Sequence, residues 1–191
     1  MSSQTVEDNE YTEWYRENKP LYEACGDAVK NLLATLLKQR KIPVQNISCR
    51  IKEEKSFCNK CQSGKYVDPI TEITDVCGIR IIGYTNQDVA EICKVIEKEF
   101  SIDEQNSVNK GSILEADRVG YLSVHYIVTL KKSRFRLNEY KAYKGIKIEI
   151  QVRTILQHAW AEIEHDRSYK FSGELPREIK RRFYLIAGAL E

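Results

Sequence analysis

Two basic residues, Arg50 and Lys52, stand two apart in the run Asn46-Ile-Ser-Cys-Arg-Ile-Lys52, and Ser56 and Lys60 follow four apart in the next segment. A guanidinium presents a planar fork of donors and an ammonium a point charge, a set that suits a polyphosphate. The guanidinium can alternatively stack on a nucleobase while Lys52, Ser56 and Lys60 meet the phosphates. Further along, Asp75 and Glu149 are the acids best placed to hold a divalent ion, because Mg2+ typically takes one or two carboxylates together with phosphate oxygens. A cationic cradle beside two carboxylates is the equipment of metal-assisted phosphoryl chemistry.

Strands are needed to bring these groups together, since side chains two apart share one side of a sheet. Ile47, Cys49 and Ile51 alternate with Ser48, Arg50 and Lys52, which predicts a half-buried strand. A run from Val119 to Leu130 places Tyr121, Ser123 and His125 opposite Leu122, Val124, Tyr126 and Val128. Lys147 to Arg153 places Glu149, Gln151 and Arg153 opposite Ile148, Ile150 and Val152. Each strand has one dry face and one face crowded with Arg, Tyr, His, Glu and Gln. An apolar strand from Val76 to Ile82 lies between. In a regular strand Asp75 and Arg80, five apart, point to opposite sides, so both serve one site only if Asp75 sits at the strand's edge or Gly78 marks a bulge.

Helices fill the intervals. Leu21, Cys25, Val29, Leu32, Leu33, Leu36 and Leu37 recur at helical spacing, with Pro20 read as the helix start and Ile42-Pro43 as its break. A short helix from about Glu53, another through Val89, Ile92, Cys93, Ile96 and Phe100, and a third from Thr154 as cap to about Lys170 follow the same reasoning. Asp103 to Asp117 is polar and aperiodic and reads as a long loop. After Pro176 a last helix continues to residue 191, where Leu185, Ile186, Ala189 and Leu190 leave two readings open: a contact between copies, or a helix that runs on.

The 191 residues, 42% hydrophobic and 30% charged, provide for one core, and a net charge of +2 excludes a protein that coats polyanions wholesale. The charge is nonetheless uneven. Residues 30–65 hold nine bases against two acids, and residues 131–153 eight against two. No apolar run approaches the roughly 18 residues that span a bilayer, and the polar start MSSQTVEDNEYTEW lacks a signal-peptide core, so a cytoplasmic protein with no membrane partner is expected. Six cysteines without an export signal read as reduced thiols, and Cys58-Asn-Lys-Cys61 alone falls short of the four ligands of structural zinc.

Taken in order, Arg50-Ile-Lys52-Glu-Glu-Lys-Ser56 with Lys60, Ile73-Thr-Asp75-Val-Cys-Gly78-Ile-Arg80, Gly120-Tyr121-Leu-Ser123-Val-His125, and Glu149-Ile-Gln151-Val-Arg153-Thr with His158-Ala-Trp-Ala-Glu162-Ile-Glu-His165 resemble the signatures of the RelA/SpoT synthetase domain, which makes guanosine tetra- and pentaphosphate. They span about residues 45–170. The resemblance implies an α+β fold, a mixed sheet flanked by helices and similar to nucleotidyltransferases. It implies a single domain over 1–191, with a helical part (1–44), a catalytic core (45–170) and a C-terminal helix (171–191). It further implies transfer of the β,γ-pyrophosphate of ATP to the 3′-hydroxyl of GDP or GTP with release of AMP. By position, Arg50 and Arg80 would hold the adenine and Lys52, Ser56 and Lys60 the ATP phosphates. Asp75 would hold Mg2+, and Glu149 would share that ion or take the hydroxyl proton. Tyr121 would stack on the acceptor base, with Ser123, His125 and Gln151 near the acceptor nucleotide.

Two other readings stand beside this one. Related enzymes modify adenosine nucleotides or the 3′ end of tRNA, and the basic stretch 131–147, with Tyr140 and Tyr143 among its lysines, could grip RNA. A nucleotide-binding module without turnover is the third, although two carboxylates facing phosphates argue against it. His165-Asp166 resembles the dyad of the family's hydrolase domain, but the further histidines that domain needs are missing. His158, Glu162 and His165 share a helix face and read as a hydrogen-bonded wall, and Trp14 and Trp160 as packing residues.

Overall fold

A computed structural model describes residues 3–109 and 123–170, together with Glu178, Arg181, Arg182 and Leu185. In chain order the elements are α1 (Ser3–Gln39), β1 (Asn46–Ile51), α2 (Glu54–Cys61), α3 (Pro69–Glu72), β2 (Cys77–Gly83), α4 (Asn86–Glu99), β3 (Phe100–Ile102), β4 (Val108–Asn109), β5 (Val124–Leu130), two 3-10 turns (Arg134–Arg136 and Asn138–Tyr143), β6 (Ile148–Thr154) and α5 (Ile155–Lys170). The strands form one sheet in the order β1-β2-β6-β5-β3, with β4 also on β5. Among the described residues only β2 and β6 run parallel, the other pairs being antiparallel, so the sheet is mixed and the fold α+β.

Alternation sets the two faces. Cys77, Ile79 and Ile81 of β2, Ile148, Ile150 and Val152 of β6, and Val124, Tyr126 and Val128 of β5 are buried against Cys25, Val29, Leu33 and Leu37 of α1 and Ile92, Val95 and Ile96 of α4. The other face carries Arg50, Arg80, Glu149 and Gln151. Gly26 lets α1 approach the sheet: a Cβ there would lie 2.5 Å from the Cys49 sulfur and 2.9 Å from that of Cys77. All six cysteines are free.

Pro20 does not start α1 but lies inside it. A mid-helix proline costs about 3 kcal/mol, and docking of the upstream turns offsets it. Trp14 stacks on Phe57 with ring centroids 5.3 Å apart, and Tyr15 is buried in a second cluster with Phe57, Cys61, Ile73 and Val76. The Tyr15 hydroxyl also donates to the Lys52 carbonyl, tying this turn to the end of β1. The helix ends where Lys41 turns left-handed at φ 57°, and the Ile42 amide returns to the Leu37 carbonyl at 3.0 Å, a Schellman closure.

The segment read as a loop from Asp103 to Asp117 is strand in part, since Val108 and Asn109 pair with His125 and Val124. A two-residue strand has no period to read, and its partner is distant in sequence. Residues 110–122, including Tyr121 and the start of the run from Val119, lie outside the described residues, as does most of the helix expected after Pro176. Thr154 caps α5 as expected: the Gln157 amide donates to its hydroxyl at 3.1 Å and its own amide to the Gln157 side chain at 2.9 Å. No helix among the described residues is long and apolar enough to cross a membrane.

Candidate active site

Strand register gathers the site. Arg50 pairs with Gly78 and Gly78 with Glu149, while in the next row Ser48 pairs with Arg80, Arg80 with Gln151 and Gln151 with His125. Four strands thus deliver side chains to one side in two adjacent rows. Those of β1, β2 and β6 open onto a cavity of about 630 Å³ bounded by Ser48, Arg50, Lys52, Ser56, Asp75, Gly78, Arg80, Glu149, Gln151 and Arg153, with Ala161 and Glu162 of α5 on its flank. Gly78 keeps the centre open, for a Cβ at that position would meet nothing closer than the Arg50 carbonyl at 3.8 Å.

Of the two ways to bring Asp75 and Arg80 into one site, the structure uses the edge. Asp75 precedes β2 by two residues, and Gly78 sits in unbroken register with both neighbours. Val76 accepts the Lys52 amide at 2.9 Å, which sets the end of β1 beside Asp75. Lys52 and Lys60 both reach the same carboxylate oxygen, Oδ2 of Asp75, at 3.0 and 2.8 Å. Burial pushes the Asp75 carboxyl up, but the hydrogen bonds from Lys60 and Lys52 outweigh it and hold the group below the usual carboxylate range. Its other oxygen, Oδ1, is buried without a hydrogen-bond partner.

Glu149 is set by a chain across β5 and β6. His125 Nδ1 lies 2.9 Å from Glu149 Oε1, and His125 Nε2 lies 2.8 Å from the hydroxyl of the fully buried Ser123. Gln151 donates to Glu149 Oε2 at 3.1 Å and accepts from Arg153 at 3.1 Å. Burial raises the Glu149 pKa, and the negative charge of Asp75 adds to that. The His125 contact, then Gln151, outweigh both and leave it below the ordinary value.

On the far wall Arg80 Nη1 meets Glu162 Oε1 at 3.1 Å, with His158 Nδ1 at 3.7 Å from the same oxygen. Burial, then the Arg80 charge, hold the His158 pKa below its usual value.

The structure therefore brings Arg50, Lys52, Ser56, Asp75, Arg80, Glu149 and Gln151 to one cavity. Lys60, Ser123 and His125 stand behind it through Asp75 and Glu149. Tyr121 lies outside the described residues. The Arg80–Glu162 ion pair was beyond sequence reasoning, because no local pattern links β2 to α5.

The charge and orphaned oxygen fit a divalent ion. A buried carboxylate oxygen left without a donor is costly, and a second carboxylate opens onto the same cavity. Among the described residues no three His, Cys, Asp or Glu side chains cluster as a self-sufficient metal site, so phosphate oxygens or water would complete the coordination.

A second hollow of about 730 Å³ lies between α1, β1 and the start of α2. It shares Cys49 with the first, and its walls mix Arg16 and Lys19 with Glu23, Asp27, Glu53 and Glu54. Arg16 and Glu54 already satisfy each other at 2.8 Å. The smaller cavity holds the convergent chemistry.

The family described as "Region found in RelA / SpoT proteins" matches residues 49–174. The chain belongs to that family. It is 28% identical over 143 residues to the GTP pyrophosphokinase YjbM of Bacillus subtilis (strain 168), a match that covers 73% of this chain and 64% of the relative's length. Among solved structures, a GTP pyrophosphokinase family protein from Streptococcus pneumoniae superposes with a TM-score of 0.70 at 28% identity, covering 93% of this chain and 87% of that one. Small alarmone synthetase 1 from Bacillus subtilis bound to its product pppGpp gives 0.68 at 25% identity, covering 93% and 91%.

Proposed function

We propose that the chain is an ATP-dependent pyrophosphokinase that places the β,γ-pyrophosphate of ATP on the 3′-hydroxyl of GDP or GTP and releases AMP. The observation that carries this reading is the meeting of Arg50, Lys52, Arg80, Asp75 and Glu149 around one cavity. Relatives named GTP pyrophosphokinase, and one bound to pppGpp, support the choice of acceptor.

In this reading the guanidinium groups of Arg50 and Arg80 enclose the adenine, while Lys52, Ser56 and Lys60 hold the triphosphate. Asp75 and Glu149 are the carboxylates for Mg2+, which when bound would offset phosphate charge and polarise the β-phosphorus. Tyr121 stacks on the acceptor base, with Ser123, His125 and Gln151 on the acceptor side. The 3′-oxygen bonds to the β-phosphorus, the bond from that phosphorus to the α,β-bridging oxygen breaks with AMP leaving, and Glu149 accepts the hydroxyl proton. Alignment and charge placement are the main tasks. An enzyme drawing on the free nucleotide pool would work in the cytoplasm.

Action on tRNA gains no support from the basic segment. Phe135, Tyr140 and Tyr143 pack against the apolar core instead of offering rings to bases, and Arg134 is held by Glu99 at 2.7 Å. The test is incubation with Mg2+, ATP labelled in the γ-phosphate and separate GDP, GTP, ATP and tRNA acceptors. Label on GDP or GTP with equimolar AMP is expected. Label on tRNA or ATP alone would reassign the acceptor, and label found only as inorganic phosphate would overturn the transferase reading.

A further inference from the structure

His125 was placed among the acceptor-binding residues, yet both of its ring nitrogens are already spent inside the protein. Nδ1 lies 2.9 Å from Glu149 Oε1 and Nε2 lies 2.8 Å from Ser123 Oγ. An ionised carboxylate has no proton to give, so Nδ1 carries the one in the bond to Glu149, while the Ser123 hydroxyl can donate to Nε2. Ser123 is itself fully buried, and so anchors the ring from within the sheet instead of reaching a ligand. Register explains the fixed geometry: His125 pairs with Gln151 across β5 and β6, two positions along from the Ile127–Glu149 pair and so on the same face, and Gln151 donates to the second Glu149 oxygen. His125 does not line the cavity, whereas Glu149 does.

We infer that His125 is a positioning residue. It acts through Glu149, holding in one rotamer the carboxylate that takes the proton of the attacking hydroxyl, and makes no contact with the acceptor nucleotide. The Ser123–His125–Glu149 chain has the layout in which a buried partner fixes an imidazole and the imidazole fixes the reactive group, here with a carboxylate as the group so fixed. This inference rests on the proposed pyrophosphokinase reading and narrows the role of one of its residues.

Three variants separate the two roles. In H125N the amide nitrogen occupies the place of Nδ1 and can still donate to Glu149. In H125Q it occupies the place of Nε2 and cannot, and H125A removes both. Loss of a residue that orients a reactive group costs roughly 10–100-fold in activity. H125A and H125Q should lose about that much kcat, with KM for ATP and for GDP changed less than about threefold, and H125N should recover most of the loss. Side-chain 15N NMR of the ligand-free protein, with the His125 signals assigned by their disappearance in H125N, should show a proton on Nδ1.

A rise in the KM for GDP at unchanged kcat would return His125 to the acceptor site and overturn the inference. So would an H125N no better than H125A, or a ring with its only proton on Nε2. Should H125A fail to fold in a thermal melt, the Asn and Gln variants, similar in size to the imidazole, carry the decision. A wild-type protein that transfers label to no acceptor would sink the pyrophosphokinase reading and this role with it, whereas active wild type with an unchanged kcat in H125Q would sink this inference alone.

Discussion

Replacing Asp75 by Asn should weaken one kind of ATP binding and strengthen another. Lys52 and Lys60 share Oδ2 of Asp75 at 3.0 and 2.8 Å, so the carboxylate neutralises the ammonium groups assigned to the phosphates. A phosphate taking up those same ammonium groups would sit ~6 Å from the carboxylate. At an effective dielectric of ~40, between a surface pair and water, each unit of phosphate charge is then repelled by ~1.4 kcal/mol. Without Mg2+ that repulsion is uncompensated, and D75N should bind ATP about tenfold more tightly than wild type in EDTA. With Mg2+ the sign reverses, because the orphaned Oδ1 no longer has a charge to offer the ion. Wild type should gain affinity on adding Mg2+, D75N should gain little, and D75N should transfer no pyrophosphate. Isothermal titration with ATP in EDTA and in Mg2+, beside the label-transfer assay, reads all three. Unchanged or weaker metal-free binding by D75N would refute the electrostatic reasoning. Turnover near wild type would remove Asp75 from the site.

Other perturbations follow from the same geometry. Asp75 and Glu149 have folded-state pKa values below their unfolded ones, so each contributes stability that is present above the unfolded value, about 3.9 for Asp and 4.3 for Glu, and is lost as pH falls through the lowered folded value. D75N should therefore melt below wild type at pH 7, and the gap in Tm should close as both are acidified below about pH 4. A gap that widens in acid would contradict the assigned direction. Gly78→Val should leave the melting temperature within the few degrees that ~1 kcal/mol represents, since a Cβ has free space there, while filling the cavity floor between Arg50 and Glu149 and abolishing nucleotide binding by titration. Glu149→Gln should lower kcat by ~100-fold or more while the protein unfolds cooperatively. Lys41→Gly should stabilise by ~1 kcal/mol in a denaturant melt, by relieving the left-handed backbone at the end of α1.

Much of the site was legible because strand parity is a local rule. Arg50 and Lys52, and Glu149 with Gln151 and Arg153, were assigned to one side of a sheet from alternation alone, and the cavity collects them there. The parity conflict between Asp75 and Arg80 was also visible, and β2 resolves it by starting after Asp75. What sequence could not show depended on contacts between distant segments. The continuation of α1 through Pro20 is supported by Trp14 and Tyr15 docking on Phe57, some forty residues away in the chain. The pairing of β4 with β5 and the hold of Glu162 on Arg80 are likewise tertiary. The expectation that Tyr140 and Tyr143 could face RNA came from composition, which does not distinguish a ring packed on the core from one offered to a base.

The site's charges are paired with one another. Lys52 and Lys60 rest on Asp75, Arg80 on Glu162, and Glu149 on His125 and Gln151. Such pairing keeps each long side chain ordered, so a ligand that replaces a partner meets groups already in place and avoids much of the ordering cost of binding. Counting the cavity and the groups paired into it, Arg50, Lys52, Lys60, Arg80 and Arg153 face Asp75, Glu149 and Glu162, five cations against three carboxylates. That excess favours a polyphosphate over a neutral ligand, but the carboxylates penalise one that arrives without a counterion. In the proposed reading, the same ion pairs would favour a triphosphate whose charge is partly offset by a divalent ion. Asp75, now shared by Lys52 and Lys60, is the carboxylate that would hold such an ion, and both lysines would then be released to the phosphates.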